Sequence, residues 1–246
     1  TGILWEKKCL AKYIKEYFYD AKKILEHDER SICDLIEEQV RRTPESIAYI
    51  FDSKSYTYRD ISEKSNTIAA AILMYTIGKK CFIPVIMERS IELVIAIWAI
   101  MKAGCAFVPI DIYWPEERVC MVLEQIKPLV IIGETKKFLL EDRYNIISFS
   151  YELTDNTVKK FPKIYGNDPI YIIYTSGSMG IPKGAINYHK GIVNRFLYMN
   201  KRYHPTEKDV ILLTSNHAFD ASIWQLLWPQ INGICTVIPK PSENLN

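Results

Sequence analysis

Residues 174 to 184 read YTSGSMGIPKG. Thr175, Ser176 and Ser178 bring hydroxyl donors, Gly177, Gly180 and Gly184 let the backbone approach a ligand closely, and Lys183 adds a cation. Hydroxyls, bare N–H groups and an ammonium in one short loop suit the oxygens of a phosphate. The apolar stretch Ile170-Tyr171-Ile172-Ile173 comes first, which places the loop at the carboxyl end of a strand, where open α/β sheets bind ligands. Two familiar phosphate patterns fail. G-x-x-x-x-G-K-[ST] does not fit, because Ile181 and Pro182 separate Gly180 from Lys183, and G-x-G-x-x-G is absent. Pro182 and the following GAINY predict an extended segment after the loop, whereas both of those motifs lead into a helix. Taken by itself, the stretch is open to two readings, a phosphate loop or a plain Gly/Ser turn.

A second cluster, HAFDASIW, spans residues 217 to 224. Its one carboxylate, Asp220, precedes an apolar helical run. Such a group can cap the helix or face a cation in an apolar pocket. Trp224 is likewise open to packing on a helix or lining a pocket.

The elements that must hold these clusters follow from periodicity. Ser31 can cap a helix whose apolar positions Ile32, Leu35, Ile36 and Val40 share a face, with Arg41, Arg42 and Pro44 as stop signals. A second amphipathic helix is expected from Tyr58 to about Met74. CFIPVIM then predicts a buried strand, Ser90 caps a helix that is apolar nearly all round and ends at Gly104, and CAFVPI predicts the next strand. Pro115 opens a helix to about Ile126, and PLVIIG predicts a further strand. Strand and helix alternating at this spacing argue for a parallel sheet covered on both faces. Residues 134–168 are less regular, with a short strand at Ile146 to Phe149. Beyond them strands are expected near 170–174, 184–188, 210–214 and 234–238, and helices near 189–200 and 221–231.

Bulk properties exclude several classes. The 246 residues carry 31 basic and 29 acidic side chains, a net charge of +2, with no block of like charge that would suit nucleic acid or an anionic membrane. The longest apolar stretch, Leu93 to Met101, falls short of the ~20 residues that span a bilayer. Cys9, Cys33, Cys81, Cys105, Cys120 and Cys235 contain no Cys-x-x-Cys pair, which points to free thiols in a reducing compartment and to no zinc site.

YTSGSMGIPKG followed by AINYHKGIVN resembles the signature loop of adenylate-forming enzymes, in particular the amino-acid adenylation domains of nonribosomal peptide synthetases. Three further stretches match that family in order: RRTPESIAYIFDSKSYTYRDI, MKAGCAFVPIDIYWPEERV and HAFDASIW. The likeness covers roughly residues 31 to 240. It implies an α/β fold, the adenylate-forming large-domain core, with mostly parallel sheets flanked by helices. Residues 1–30 are expected as a leading linker, resembling that after a condensation domain, and 31–246 as the N-terminal part of the core.

The resemblance also implies roles. Thr175, Ser176, Gly177, Ser178, Gly180 and Lys183 contact the phosphates of ATP, and Asp220 binds the α-amino group of an amino-acid substrate. Ala221 and Trp224 line the side-chain pocket, and an Asp-Ala-Trp start resembles pockets for phenylalanine or leucine. His189 matches a histidine after the loop, here expected to be structural; His217 receives no role, and His27 and His204 are expected at the surface. Asp111 and Arg118 are expected to hold the fold. Met179 departs from the family, which carries Thr or Ser there. A thioether donates no hydrogen bond, and loss of a hydroxyl on a phosphate weakens that contact by about 1.5–3 kcal/mol.

The family's adenine-cradling segment with its Mg2+-ligating glutamate, its ribose-binding aspartate and the catalytic lysine of its C-terminal lid have no counterpart in residues 1–246. Little adenylation is therefore expected from this chain alone. The implied partners are the rest of the adenylation domain, carrier-protein and condensation domains and an MbtH-like protein, in the cytoplasm. Two alternatives stand beside this reading: an acyl- or aryl-CoA ligase of the same superfamily, and a non-catalytic half-domain that serves in docking.

Overall fold

The computed structural model describes residues 29–149, 160–176 and 180–240. The leading segment with His27, and Gly177, Ser178 and Met179 of the glycine loop, lie outside the described residues.

Capping side chains start the first three helices. In α1 (Ile32–Arg42) Ser31 Oγ accepts from Asp34 N at 3.1 Å while Ser31 N donates to Asp34 Oδ2 at 2.7 Å, a reciprocal capping box. A hairpin follows, β1 (Ile47–Phe51) and β2 (Lys54–Thr57), turned by Asp52 and Ser53 at φ of 50° and 60°. Helix α2 (Tyr58–Thr76) repeats the capping box with Thr57 and Asp60. After β3 (Phe82–Ile86), Ser90 Oγ accepts from Leu93 N to start α3 (Ile91–Lys102). Gly104, at φ +73°, turns the chain into β4 (Ala106–Ile110), a conformation open to glycine at little cost.

The second half adds α4 (Glu116–Ile126), β5 (Ile131–Gly133), β6 (Ile146–Ile147), β7 (Pro169–Thr175), β8 (Lys183–Tyr188) and α5 (His189–Tyr203). It ends with β9 (Val210–Leu212), α6 (Ala221–Leu227) and β10 (Cys235–Ile238). Helix α6 is shorter than the expected 221–231. Pro229 has no N–H to continue the ladder, and a 3-10 turn at Pro229–Ile231 replaces the last part.

Six strands form one sheet in the order β6-β5-β3-β4-β7-β8, parallel except for β8. Four form another, β2-β1-β10-β9, in which β1, β10 and β9 are parallel and β2 is antiparallel. The six-stranded sheet is covered on both faces, as the run of buried strands implies. Along its strands, Val85, Phe107, Ile132 and Ile173 enter one apolar cluster and Ile86, Val108, Ile131 and Ile172 the other, which includes Val119, Val122 and Leu123 of α4. The first cluster joins that sheet to β1 through α3, whose Trp98 ring lies 6.4 Å from that of Tyr49.

Lys102 ends α3 inside this core, 6% exposed. Its ammonium donates to Ser62 O at 3.1 Å, Ser62 Oγ at 2.8 Å and Asn66 Oδ1 at 2.7 Å. Glu37 Oε1 adds a charge contact at 2.9 Å, and the cation thereby ties α1 and α2 to α3. Among the described residues the cysteines are free thiols, no group of His, Cys, Asp and Glu could hold a metal ion, and no helix is long and apolar enough to cross a membrane.

Candidate functional site

The glycine loop joins two antiparallel strands. Thr175, the last residue of β7, is the register partner of Lys183, the first of β8. The extended segment expected from Pro182 is β8 itself, so the chain leaves the loop in a strand rather than a helix. Thr175, Ser176, Gly180 and Lys183 are all exposed. Helix α4 clamps the loop at both ends: Arg118 Nη2 donates to Tyr174 O at 3.4 Å and Gln125 Nε2 to Pro182 O at 3.1 Å. Arg118 also stacks over Trp114, 4.0 Å from its ring centre, so it holds the fold as expected and positions the loop as well.

Two glycines of the loop region play different parts. Gly180 sits at φ +78° with open space on its Cβ side, as close approach by a ligand requires. Gly184 instead serves packing. A Cβ there would lie 2.7 Å from Ile172 Cγ2 and 2.9 Å from Tyr174 Cζ, so the side chains of β7 take the space that the sequence alone offers to a ligand.

Asp220 opens α6, but not as a cap. Its backbone is already helical, at φ −60° and ψ −27°, and its side chain makes no capping hydrogen bond. The preceding turn is satisfied by others: Ser222 Oγ donates to Phe219 O at 2.7 Å, and Asn216 Oδ1 accepts from Ala218 N at 2.9 Å. The Asp220 carboxylate is exposed, within electrostatic reach of the strand that carries the loop. Burial pushes the Tyr171 phenol of β7 up to about 12; Arg195 opposes that shift and Asp220 adds to it.

Ala221 is exposed and Trp224 half-buried. The Trp224 ring packs 6.1 Å from that of Trp228 at 60°, and Trp228 Nε1 donates to Asn200 Oδ1 at 2.7 Å. Trp224 thus packs on the core with part of its surface open. His189 is structural in this fold: its ring is buried and Nδ1 accepts from Ile32 N at 3.2 Å. Burial lowers its pKa to about 4, against the raising effect of Asp168 and Asp34. His217 is also buried and lowered by desolvation, with Nε2 3.4 Å from Ile110 O. His204 is exposed.

Sequence reasoning passed over the joint between the sheets. At the carboxyl ends of β3, β4 and β9 lies a cleft of ≈ 210 Å³ walled by Glu88, Arg89, Asp111, Tyr113, Thr214, Asn216 and His217. Arg89 Nη1 donates to Leu213 O at 3.2 Å and Thr214 O at 2.8 Å, and Asn216 Nδ2 to Asp111 Oδ2 at 2.6 Å. The one available signal is position, since Asp111 directly follows β4 and the other lining residues fall in the short loops after β3, β4 and β9.

The described residues thus bring together a mostly parallel sheet covered on both faces, a hydroxyl- and glycine-rich loop at the carboxyl end of β7 and an uncapped carboxylate at α6. The family model for AMP-binding enzymes matches residues 36–246, and the chain belongs to that family. It is 35% identical to zwittermicin A synthase ZmaJ of Bacillus cereus over 218 residues, which cover 85% of this chain and 41% of that protein. Among solved structures, the nonribosomal peptide synthetase FmoA3 superposes with a TM-score of 0.79 at 25% identity, covering 89% of this chain and 24% of that one. The N-terminal subdomain of Klebsiella oxytoca NpsA, in complex with 3-hydroxyanthranilyl-AMSN, gives 0.79 at 27% identity, covering 89% and 57%. The chain is thus similar to the adenylation part of such synthetases, and it spans less than half the length of the curated relative.

Proposed function

We propose that this chain supplies the phosphate loop and the amino-group site of a domain that activates an amino acid as its adenylate. A substrate carboxylate oxygen attacks the α-phosphorus of ATP, the bond to the β-phosphate oxygen breaks, and pyrophosphate leaves with the charge. Hydroxyls of Thr175, Ser176 and Ser178, N–H groups at Gly177 and Gly180, and the Lys183 ammonium stabilise that charge. The Asp220 carboxylate takes the α-ammonium and orients the acid, and Ala221 and Trp224 border an apolar, Phe- or Leu-like side chain. A carrier-protein phosphopantetheine thiol then displaces AMP to give a thioester.

Magnesium accompanies the ATP phosphates. The described residues hold no acidic cluster for it. Residues for adenine, ribose and the lid lysine belong to further parts of the domain, and residues 1–246 alone carry out little or no adenylation. Condensation domains and an MbtH-like protein complete the cytoplasmic setting of this reading.

The observation that carries the reading is the exposed Asp220 carboxylate, which no helix cap uses. ATP–pyrophosphate exchange by the complete domain, across the proteinogenic amino acids, tests it. Exchange driven by an apolar amino acid and lowered at least about tenfold by Asp220→Ala is expected; exchange indifferent to Asp220→Ala overturns the amino-group role. The aryl ligand of NpsA favours a second reading, activation of an aryl acid. Benzoate-type acids in the same assay decide between the two.

A further inference from the structure

Asp111 ends the β4 segment of the six-stranded sheet, and Asn216 lies between β9 of the four-stranded sheet and α6. Their side chains meet across 105 residues of sequence, Asn216 Nδ2 donating to Asp111 Oδ2 at 2.6 Å. Each uses its remaining side-chain polar atom locally. Asp111 Oδ1 accepts from Tyr113 N at 2.9 Å, and Asn216 Oδ1 accepts from Ala218 N at 2.9 Å. Asn216 O accepts from Phe219 N at 3.0 Å. The next residue is Asp220.

Other anchors act elsewhere in the segment. Arg89 holds the carbonyls of Leu213 and Thr214, and Gln225 Oε1 accepts from Ser215 N at 3.0 Å, so both fix the stretch before the turn. Ser222 ties the turn to α6. The Asp111 contact links the start of this turn to the sheet that carries the glycine loop, beside the longer approach of His217 Nε2 to Ile110 O at 3.4 Å. It is charge-assisted, which makes it short and directional.

We infer that Asp111 and Asn216 form a positioning pair that sets the Asp220 carboxylate relative to the phosphate loop and thereby selects for an α-ammonium on the substrate. The inference rests on the amino-acid-activating reading above. Asp111 acts through Asn216 and touches no substrate. The pair works on a ground-state contact, so its loss raises KM for the amino acid and leaves KM for ATP alone.

The test uses the complete domain in ATP–pyrophosphate exchange. Asp111→Ala and Asn216→Ala are each expected to raise the amino-acid KM about tenfold, with KM for ATP and kcat within about twofold of wild type. The exchange of side chains, Asp111→Asn with Asn216→Asp, keeps every bond with the roles reversed. The amide placed at 111 donates to the carboxylate placed at 216 and accepts from Tyr113 N, while that carboxylate accepts from Ala218 N. The doubly exchanged variant is expected to return the amino-acid KM to within about threefold of wild type. In an Asp220→Ala background, Asp111→Ala is expected to add nothing to the amino-acid KM. Failure of the exchanged variant to recover while its Tm matches wild type, or equal losses for ATP and amino acid, overturns the positioning role. Wild-type domain with no amino-acid-dependent exchange overturns the functional reading and this inference with it.

Discussion

Thr175 and Lys183 face each other as the last pair of the β7–β8 ladder, so the glycine loop leaves and returns at a single point. Cross-strand partners point to the same face of a sheet, which puts a hydroxyl and an ammonium side by side at the loop's mouth. With Arg118 and Gln125 of α4 on the flanking carbonyls, the ends are fixed whatever the loop holds.

Removal of the Lys183 ammonium should therefore impair ATP use without harming the fold. In the complete domain Lys183→Ala is expected to lower kcat/KM for ATP on the order of 10²-fold, the usual loss for one preorganised charge-stabilising group. Its melting temperature should stay at the wild-type value, because the side chain is exposed. Parallel kinetics and thermal melts check this.

Gly184, one residue further on, should behave in the opposite way. Any Cβ meets Ile172 and Tyr174 at less than van der Waals distance, and Gly184→Val is expected to cost about 1–3 kcal/mol in urea unfolding, as overpacking does. A variant as stable as wild type would show that the Ile172 and Tyr174 side chains move aside without cost.

Lys102 offers a second stability test. Lys102→Ala is expected to cost about 2–3 kcal/mol, below the usual range for a fully buried pair, because Glu37 keeps 36% exposure. Lys102→Met should cost less, since it retains the aliphatic stem. Chemical denaturation of the three proteins gives the order.

His189 makes stability depend on pH. Its folded pKa of about 4 lies below the ordinary 6.5, so the unfolded chain takes up the proton first. Its contribution is fully present above pH 6.5 and declines as pH falls from there toward 4, a loss on the order of 3 kcal/mol. His189→Gln should flatten that decline in denaturation curves taken from pH 7.5 to 4.5, leaving the share due to His217, which burial also lowers.

Much of this fold is legible locally. Ser31 and Ser90 announce their helices because a hydroxyl before an apolar run has one economical use, and Pro182 announces β8 because it cannot extend a helix. The β1–β2 hairpin escapes such reading: Asp52-Ser53 adopts left-handed φ without the glycine that signals it, and β1 finds its parallel partner β10 only at the end of the chain. At the site, residue types single out Asp220 but leave both cap and ligand contact open. Backbone angles and the partners of Asn216 and Ser222 speak against the cap. The Asp111–Asn216 contact joins two sheets, and no spacing within either segment encodes it.

The central claim, that Asp220 receives an α-ammonium while the β7–β8 loop holds ATP, is tested most directly by one paired measurement. ATP–pyrophosphate exchange by the complete domain is run with an apolar amino acid and with its deaminated analogue, in wild type and in Asp220→Ala. The prediction is strong exchange for wild type with the amino acid alone, and in Asp220→Ala a loss of at least about tenfold for the amino acid with none for the analogue. Equal exchange of both acids by wild type, unchanged in Asp220→Ala, would contradict it.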